Sequence, residues 1–263
     1  MTANFFQSLK TCKVQYLLIS GQAAILYGAA TFSEDIDIWL RPSMDNINRF
    51  INALRACGAR YYKITPPLTP LYLSKGHGFH FLIPSVGRSD LFLDVMGVPP
   101  RVPEFTIAWE RSARIKTPWG ILPVVDIPDL IELKKTQRLE DYPVINRLIL
   151  RYCDNPNINL DRRQTRWAMD HLFSLSALRE FSQRHPKIIR HLDSKDMAVF
   201  RTWASLVQRQ KEPDTALEQR IERQILRRIT ACQQSDRLYW RKIITELKQL
   251  RTQGLLLREG QKV

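Results

Sequence analysis

Cysteine is scarce and scattered. The four cysteines (Cys12, Cys57, Cys153, Cys232) form no C-x-x-C pair, which excludes the usual zinc-binding spacings. They read as free thiols of a reducing compartment. No apolar run is long enough to span a membrane. The nearest candidate, Val14 to Ala30 behind Lys10 and Lys13, is interrupted by Gln15, Ser20, Gly21 and Gln22 and is followed at once by acidic residues. It therefore reads as a strand, a turn and a helix rather than a signal peptide, and the expected location is cytoplasmic with no membrane partner. Internal repeats and low-complexity tracts are also lacking.

Acidic residues are in deficit. Against 40 Lys and Arg stand 26 Asp and Glu, a net charge of +14. Residues 1–150 carry 17 basic against 13 acidic side chains, and residues 151–263 carry 23 against 13, so net charges of +4 and +10 fall on the two parts. Such a basic part suits a polyanion, RNA first, although a well-solvated helical surface gives the same count. The arginines to examine are Arg162, Arg163, Arg166, Arg223, Arg227 and Arg228. A chain of 263 residues, 44% hydrophobic and 25% charged, has the ordinary composition of one large or two modest packed domains.

The pattern changes character along the chain. Residues 1–11 read as a helix, Val14 to Ile19 as a buried strand, Ala23 to Tyr27 as a helix stopped by Gly28, and Ile36 to Leu40 as a strand. Met44 to Cys57 has helical spacing and meets Gly58. A proline-rich loop is expected over Thr65 to Pro70, strands at Phe79 to Ile83 and Leu91 to Val95 with a turn near Gly87-Arg88, irregular chain through Pro99, Pro100 and Pro103, and a hairpin turn at Pro118-Trp119-Gly120 before a strand to Val125. A helix capped by Asp126 or Asp129 should reach about Arg138, and another should run from Tyr142 to Arg151. The Asn-Pro-Asn segment within Asp154 to Asn159 marks the expected boundary between an α/β domain (1–153) and a basic helical domain (154–263). In the latter, Asp161 and Asp193 or Ser194 are candidate caps, and Pro213 should begin a further helix. Leu217, Ile221, Ile225 and Ile229 form one apolar stripe, and Trp240, Ile243, Ile244, Leu247 and Leu250 another, in a last helix.

Chemistry concentrates in Ser33-Glu34-Asp35-Ile36-Asp37-Ile38. Two residues apart on a strand share a face, so Asp35 and Asp37 project together while Ile36 and Ile38 pack behind. Adjacent carboxylates repel, and a hard divalent cation is the usual remedy. Asp94 lies inside the apolar run Leu91-Phe92-Leu93-Asp94-Val95, where a charge is costly unless paired or metal-bound; an arginine partner is the rival explanation. Three carboxylates can hold two metals and stabilise both the attacking and leaving oxygens of a phosphoryl displacement. Ser20-Gly21, between an apolar strand and a helix, offers backbone N–H groups to phosphate and a hydroxyl from Ser20; a plain tight turn has the same sequence. His77 and His80 flank Gly78-Phe79 and read as a loop and a strand histidine rather than a ligand pair, with His80 placed to line a pocket.

The segment Tyr16 to Ile38, YLLISGQAAILYGAATFSEDIDI, resembles the opening of DNA polymerase β-type nucleotidyltransferases, in particular the minimal bacterial branch that includes abortive-infection, type IV toxin enzymes. The likeness covers roughly residues 14–150. Ser20-Gly21 matches the family's small-residue turn, Asp35 and Asp37 its D-x-D, Asp94 its third carboxylate, and Asp129 through Arg138 with Asp141 its later helix block. The resemblance implies a mixed sheet flanked by helices, with Asp35, Asp37 and Asp94 holding two Mg²⁺ ions (Mn²⁺ as substitute). It also implies Ser20, Gly21, Lys134 and Asp141 at the nucleotide, Lys134 contacting the triphosphate and Asp141 orienting basic groups. The implied reaction moves a nucleoside monophosphate from an NTP such as ATP to an acceptor hydroxyl, with a toxin role and an antitoxin partner implied in turn; the basic residues 151–263 favour RNA, such as a tRNA end, as the acceptor, over a protein hydroxyl and, last, a small antibiotic. Two departures stand out. The turn is Ser-Gly followed by Gln22, and Thr31 stands where many relatives carry Arg. Thr31 is the feature that fits a different class, a non-catalytic RNA- or protein-binding module on the same fold.

Overall fold

Segments that alternate apolar runs with turns fold here into a seven-stranded mixed sheet with helices around it, followed by a helical region. A computed structural model describes residues 2–84, 89–192, 194 and 197–263. The chain packs as two units, Met1–Leu133 with Leu238–Val263, and Lys134–Arg237. The expected boundary at 153/154 follows the end of a helix inside the second of these.

In the first unit, α1 (Thr2–Thr11) precedes β1 (Tyr16–Ile19), α2 (Ser20–Leu26), β2 (Asp35–Leu40) and α3 (Met44–Ala56). The short β3 (Arg60–Tyr61) and α4 (Pro70–Ser74) lead to β4 (Gly78–Ile83) and β5 (Leu91–Met96). Then come α5 (Phe105–Arg111), the hairpin β6 (Ala113–Thr117) and β7 (Gly120–Val124), and α6 (Ile127–Leu133). The sheet order is β3-β4-β5-β2-β1-β7-β6. β1 and β2 are antiparallel, whereas β2 with β5 and β1 with β7 are parallel. All four residues of β1 are buried, as an interior strand of a covered sheet requires. Trp39 is fully buried on β2, and its indole N–H donates to the Gly97 carbonyl at 2.8 Å, which settles its one polar atom.

The local sequence accounts for most boundaries. Gly58 takes φ +66° after α3, and Thr69 caps α4 by accepting from the Tyr72 N–H. β3, α4 and α5 were not expected. They have two, five and seven residues, too few to impress a period on the sequence. The turn expected at Gly87-Arg88 lies outside the described residues. The last residues return to the edge of the sheet, through bridges Arg60↔Lys262 and Thr65↔Leu257.

The second unit contains α7 (Asp141–Cys153), α8 (Arg162–His171), α9 (Leu175–Arg184), a 3-10 segment (Pro186–His191) and α10 (Ala198–Gln208). Asp161 caps α8 as expected, accepting from the Gln164 N–H at 2.8 Å. Of the other expected caps, Asp193 lies outside the described residues. The two apolar stripes expected on separate helices belong to one helix, α11 (Thr215–Thr252), whose residues are shared between the units at Arg237/Leu238. No Gly or Pro occurs within it, and the first breaker is Gly254 at φ +70°. Among the described residues no helix is long and apolar enough to cross a membrane.

The helix expected to reach Arg138 ends at Leu133. The reason is a competing turn. Asp141 accepts from Lys134 Nζ at 2.8 Å, Thr136 Oγ1 at 2.6 Å and Arg138 Nε at 3.1 Å, which ties the intervening chain to the start of α7. Burial alone would raise the Asp141 carboxyl. The Lys134 ammonium, the hydrogen bonds from Lys134 and Thr136, and the charge of Arg138 together hold it below the usual carboxylate range.

Two predictions follow from these carboxylates. The Lys134 and Asp141 side chains are only 8% and 5% exposed, so Asp141→Ala strands a buried ammonium. Urea denaturation should show a loss of about 3–5 kcal/mol. Asp126, at the start of α6, behaves oppositely. Burial pushes its carboxyl up to about 6, against the hydrogen bond from the Asp129 N–H, with the Asp129 charge adding and Arg111 subtracting. A folded pKa above the unfolded value means that the ionised form weakens the fold, and stability is lost as the pH rises through that value. Asp126→Asn keeps the acceptor for Asp129 and removes the charge. Its melting temperature should exceed that of the parent chain at about pH 7.5 and converge with it near pH 4.

Candidate metal centre

The pleat of β2 does the first part of the work. Ile36 and Ile38 are buried, and Asp35 and Asp37 are half-buried on the opposite face. β5 then pairs parallel with β2 in the register Asp37↔Asp94. Its burial alternates likewise, with Leu93 and Val95 inside and Asp94 half-buried. Two strands 57 positions apart therefore deliver three carboxylates to one place. Asp35, Asp37 and Asp94 each offer an oxygen, and these atoms all lie within 4.8 Å of one another. Three anionic oxygens at that spacing can hold a metal ion, and oxygen donors suit a hard divalent cation.

The antiparallel partner β4 supplies the surroundings. His80 is opposite Asp94, and its Nδ1 lies 2.7 Å from Asp94 Oδ1. An ionised carboxylate only accepts, so Nδ1 carries the proton of this bond. The Tyr62 N–H donates to the His80 carbonyl at 3.1 Å, continuing the β3–β4 pairing by one residue, and Tyr62 Oη donates to Asp94 Oδ1 at 3.4 Å. Both side-chain partners among the described residues bind Oδ1, which leaves Oδ2 for another role. Lys63 sits with its ammonium 4.6 Å from the centre of the Tyr62 ring. Burial lowers its basicity, but a hydrogen bond with Tyr62 and the charges of Asp94 and Asp35 outweigh this, and the ammonium titrates above the ordinary lysine range. Tyr62 is likewise raised, by burial first and by Asp94, against the pull of Lys63.

On the other side, the β1–β2 register places Ile19 opposite Asp37, so the Ser20-Gly21 turn begins beside the carboxylate pair. Ser20 adopts φ +57°, an unfavourable left-handed conformation for a residue other than glycine, as the chain swings from β1 straight into α2. Gly21 has no room for a side chain: an added Cβ would lie 2.2 Å from Ser33 Oγ. That hydroxyl donates toward Asp35, with contacts of 3.2 Å to its carbonyl and 3.3 Å to Oδ1. The small turn is thus in contact with the residue that steadies the first carboxylate. Thr31 is exposed in the connection between α2 and β2.

The structure brings Asp35, Asp37 and Asp94 together and sets Ser20 and Gly21 beside them. Lys134 and Asp141 belong to the second unit, where they bind each other. His77 is fully buried with its Nε2 2.9 Å from Glu246 Oε2, whereas His80 faces Asp94. Tyr62 and Lys63 carry no local signal that would have singled them out. They become neighbours of Asp94 only through the pairing of three strands, though the reading of His80 as lining a pocket pointed to the same edge.

No protein-family model matches the chain, and no curated protein matches it. Among solved structures, the crystal structure of an antigenic nucleotidyltransferase-like protein from Paracoccidioides brasiliensis is similar at 12% sequence identity and a TM-score of 0.39, covering 82% of this chain and 93% of that one.

Proposed function

We propose that this protein is a metal-dependent nucleotidyltransferase, moving a nucleoside monophosphate from an NTP to an acceptor hydroxyl and releasing pyrophosphate. The observation that carries the reading is the meeting of Asp35, Asp37 and Asp94, with oxygens within 4.8 Å of one another on adjoining parallel strands. The resemblance of Tyr16 to Ile38 to polymerase β-type enzymes, which includes Asp35 and Asp37, supports it from the sequence.

Asp35 and Asp37 would hold two Mg²⁺ ions, or Mn²⁺, and Asp94 would complete one of the sites. Such ions neutralise charge on the transferring phosphoryl group and acidify the acceptor hydroxyl. The acceptor oxygen attacks the α-phosphorus, the bond from that phosphorus to the bridging oxygen breaks, and the electron pair leaves with pyrophosphate. The hydroxyl proton passes to Asp94 through Oδ2, while the His80 N–H and Tyr62 O–H hold Oδ1 and fix the carboxylate plane. Lys63, whose ammonium feels the charges of Asp94 and Asp35, would meet triphosphate oxygens. Backbone N–H groups of the Ser20-Gly21 turn would meet the others. Catalysis in such a site comes mainly from positioning and charge neutralisation.

For the acceptor, the net charge of +10 on residues 151–263 favours RNA over a small cationic substrate. A toxin role with an antitoxin partner rests on the resemblance alone. One observation favours a second reading: Thr31 replaces the arginine many relatives carry before D-x-D, as would suit a non-catalytic RNA- or protein-binding descendant of the fold.

The two readings separate in one assay. Purified protein is incubated with Mg²⁺, each α-labelled NTP in turn, and total RNA, beside Asp35→Ala/Asp37→Ala. Label should enter RNA with the parent chain and fall by at least about 10³-fold in the double variant. Blank RNA, protein and small-molecule acceptors, together with no Mg²⁺-dependent NTP binding, would sink the enzyme and leave the binding module. In the active chain, Lys63→Ala should raise KM for the NTP by about tenfold with a smaller effect on kcat, because a phosphate contact made in the ground state is lost.

A further inference from the structure

The helical unit carries a charged surface that the acidic centre leaves unused. Arg220, Arg223 and Arg227 on α11 are exposed and stand three and four positions apart, the spacing at which helix side chains are neighbours. No residue three or four positions from any of them is acidic. Among the described residues none of the three joins an ion pair, and the hydrogen bond of Arg223 goes to the backbone, from Nε to the Gln219 carbonyl at 3.2 Å. Other arginines of this unit are used differently. Arg166 is held by Asp170 at 2.7 Å, and Arg228 turns inward to the carbonyls of Met169 and Leu172. The unit thus neutralises or buries those arginines and leaves this row of like charges uncompensated.

Beside the row opens a cavity of about 600 Å³, a size suited to a small organic group. Phe173, Leu175, Ile225, Leu226 and Ile229 wall it, and Leu226 is 62% exposed. Arg223 lines both this cavity and the cleft of Arg220 and Arg227, so the apolar and cationic parts form one surface. Ser174, Gln219 and Glu222 also stand among the cavity residues and, with Arg223, bring hydrogen-bonding groups to its apolar walls.

We propose that this surface binds single-stranded nucleic acid, with backbone phosphates along Arg220, Arg223 and Arg227 and one unstacked base in the cavity. A row of cations matches the phosphate repeat, an apolar cavity takes a base that is not paired or stacked, and a duplex presents no such base. An acidic peptide would satisfy the arginines equally. Its carboxylates would be repelled by Glu222, whereas base edges carry the N–H donors that Glu222 accepts. The surface owes nothing to the proposed transfer reaction and stands or falls apart from it.

The test uses the full chain and fluorescence anisotropy, with a labelled mixed-sequence RNA of about 12 nucleotides as a single strand and as a duplex, over about 50–300 mM NaCl. The single strand should bind more tightly than the duplex. Arg220→Gln/Arg223→Gln/Arg227→Gln should weaken it at least about tenfold and flatten the plot of log affinity against log salt by about 2, since each single-strand phosphate contact contributes about 0.7. Leu226→Glu, at an exposed position, should weaken the single strand and spare the duplex. Asp35→Ala/Asp37→Ala should bind as the parent does, which separates this result from the fate of the catalytic reading. Far-UV circular dichroism confirms that each variant is folded. A folded triple variant with parental affinity and salt slope overturns the proposal. Equal binding of strand and duplex, or no effect of Leu226→Glu, overturns the seated base. Preference of the parent chain for polyglutamate over RNA, lost in the triple variant, overturns it in favour of an acidic protein partner.

Discussion

The parallel pairing of β2 with β5 decides where charge can exist in the sheet-bearing unit. Asp37 lies opposite Asp94, and Ile36 and Ile38 lie in register with Leu93 and Val95, all four apolar side chains buried. Sliding either strand by one residue would send its carboxylates into the core and its aliphatic side chains out. An unpaired carboxylate there costs several kcal/mol, and each lost aliphatic burial about 1.5–3 kcal/mol more. The register is therefore held by the core. The closeness of the three carboxylates, which is unfavourable by itself, is a consequence that the core enforces.

What surrounds the carboxylates shows how much of that repulsion the protein relieves. The pair Lys134–Asp141 is a useful contrast. There one acid meets one buried ammonium, a neighbouring arginine and a threonine hydroxyl, and its carboxyl falls below the usual range. Such a cluster is satisfied internally and has little need of a ligand. At the acidic centre the charges of Asp94 and Asp35 act on Lys63, Ser33 donates toward Asp35, and the donors from His80 and Tyr62 both fall on a single oxygen of Asp94. Three carboxylate oxygens within 4.8 Å of one another could hold a cation, which is the physical argument for a candidate metal centre.

How far this was legible follows from the range of the forces involved. Asp35 and Asp37 show themselves through a period of two over four residues, and Asp94 through its conflict with an apolar run, so both signals lie within a few positions of the residues concerned. The turn at Ser20-Gly21 was legible as a break, but not the reason Gly21 must be small, which is the approach of Ser33 twelve residues later. Tyr62, Lys63 and His80 gather around Asp94 through strand pairings with separations of fourteen positions and more, which a local pattern does not encode. The same distinction explains the errors of extent. The chain after Leu133 keeps helix-forming residues yet leaves the helix because Asp141 captures Lys134, Thr136 and Arg138 from beyond it. Conversely, the two stripes of α11 read as two helices because the spacing of apolar residues shifts, although nothing in the sequence breaks the backbone between them.

The charge balance of the chain now has a structural explanation. A net +14 would usually be read as a uniformly basic surface, but the side chains distribute it unevenly. Some arginines act within the fold, as Arg228 does against helix carbonyls and Arg111 between Asp126 and Asp129. These contribute to the formal charge and offer little to a partner. The row Arg220, Arg223 and Arg227 stays in water, with side chains of its own sign three and four positions away along the helix. Each of these repulsions costs about 0.2–0.5 kcal/mol of helix stability, small enough for a helix of 38 residues to bear and large enough to be relieved by a polyanion. The acidic centre gathers carboxylates instead and could take a cation. Its carboxylates sit on paired strands at fixed separations, which would suit a small ion. The arginines sit on flexible side chains along a helix, which suits a chain of phosphates that can adjust to them.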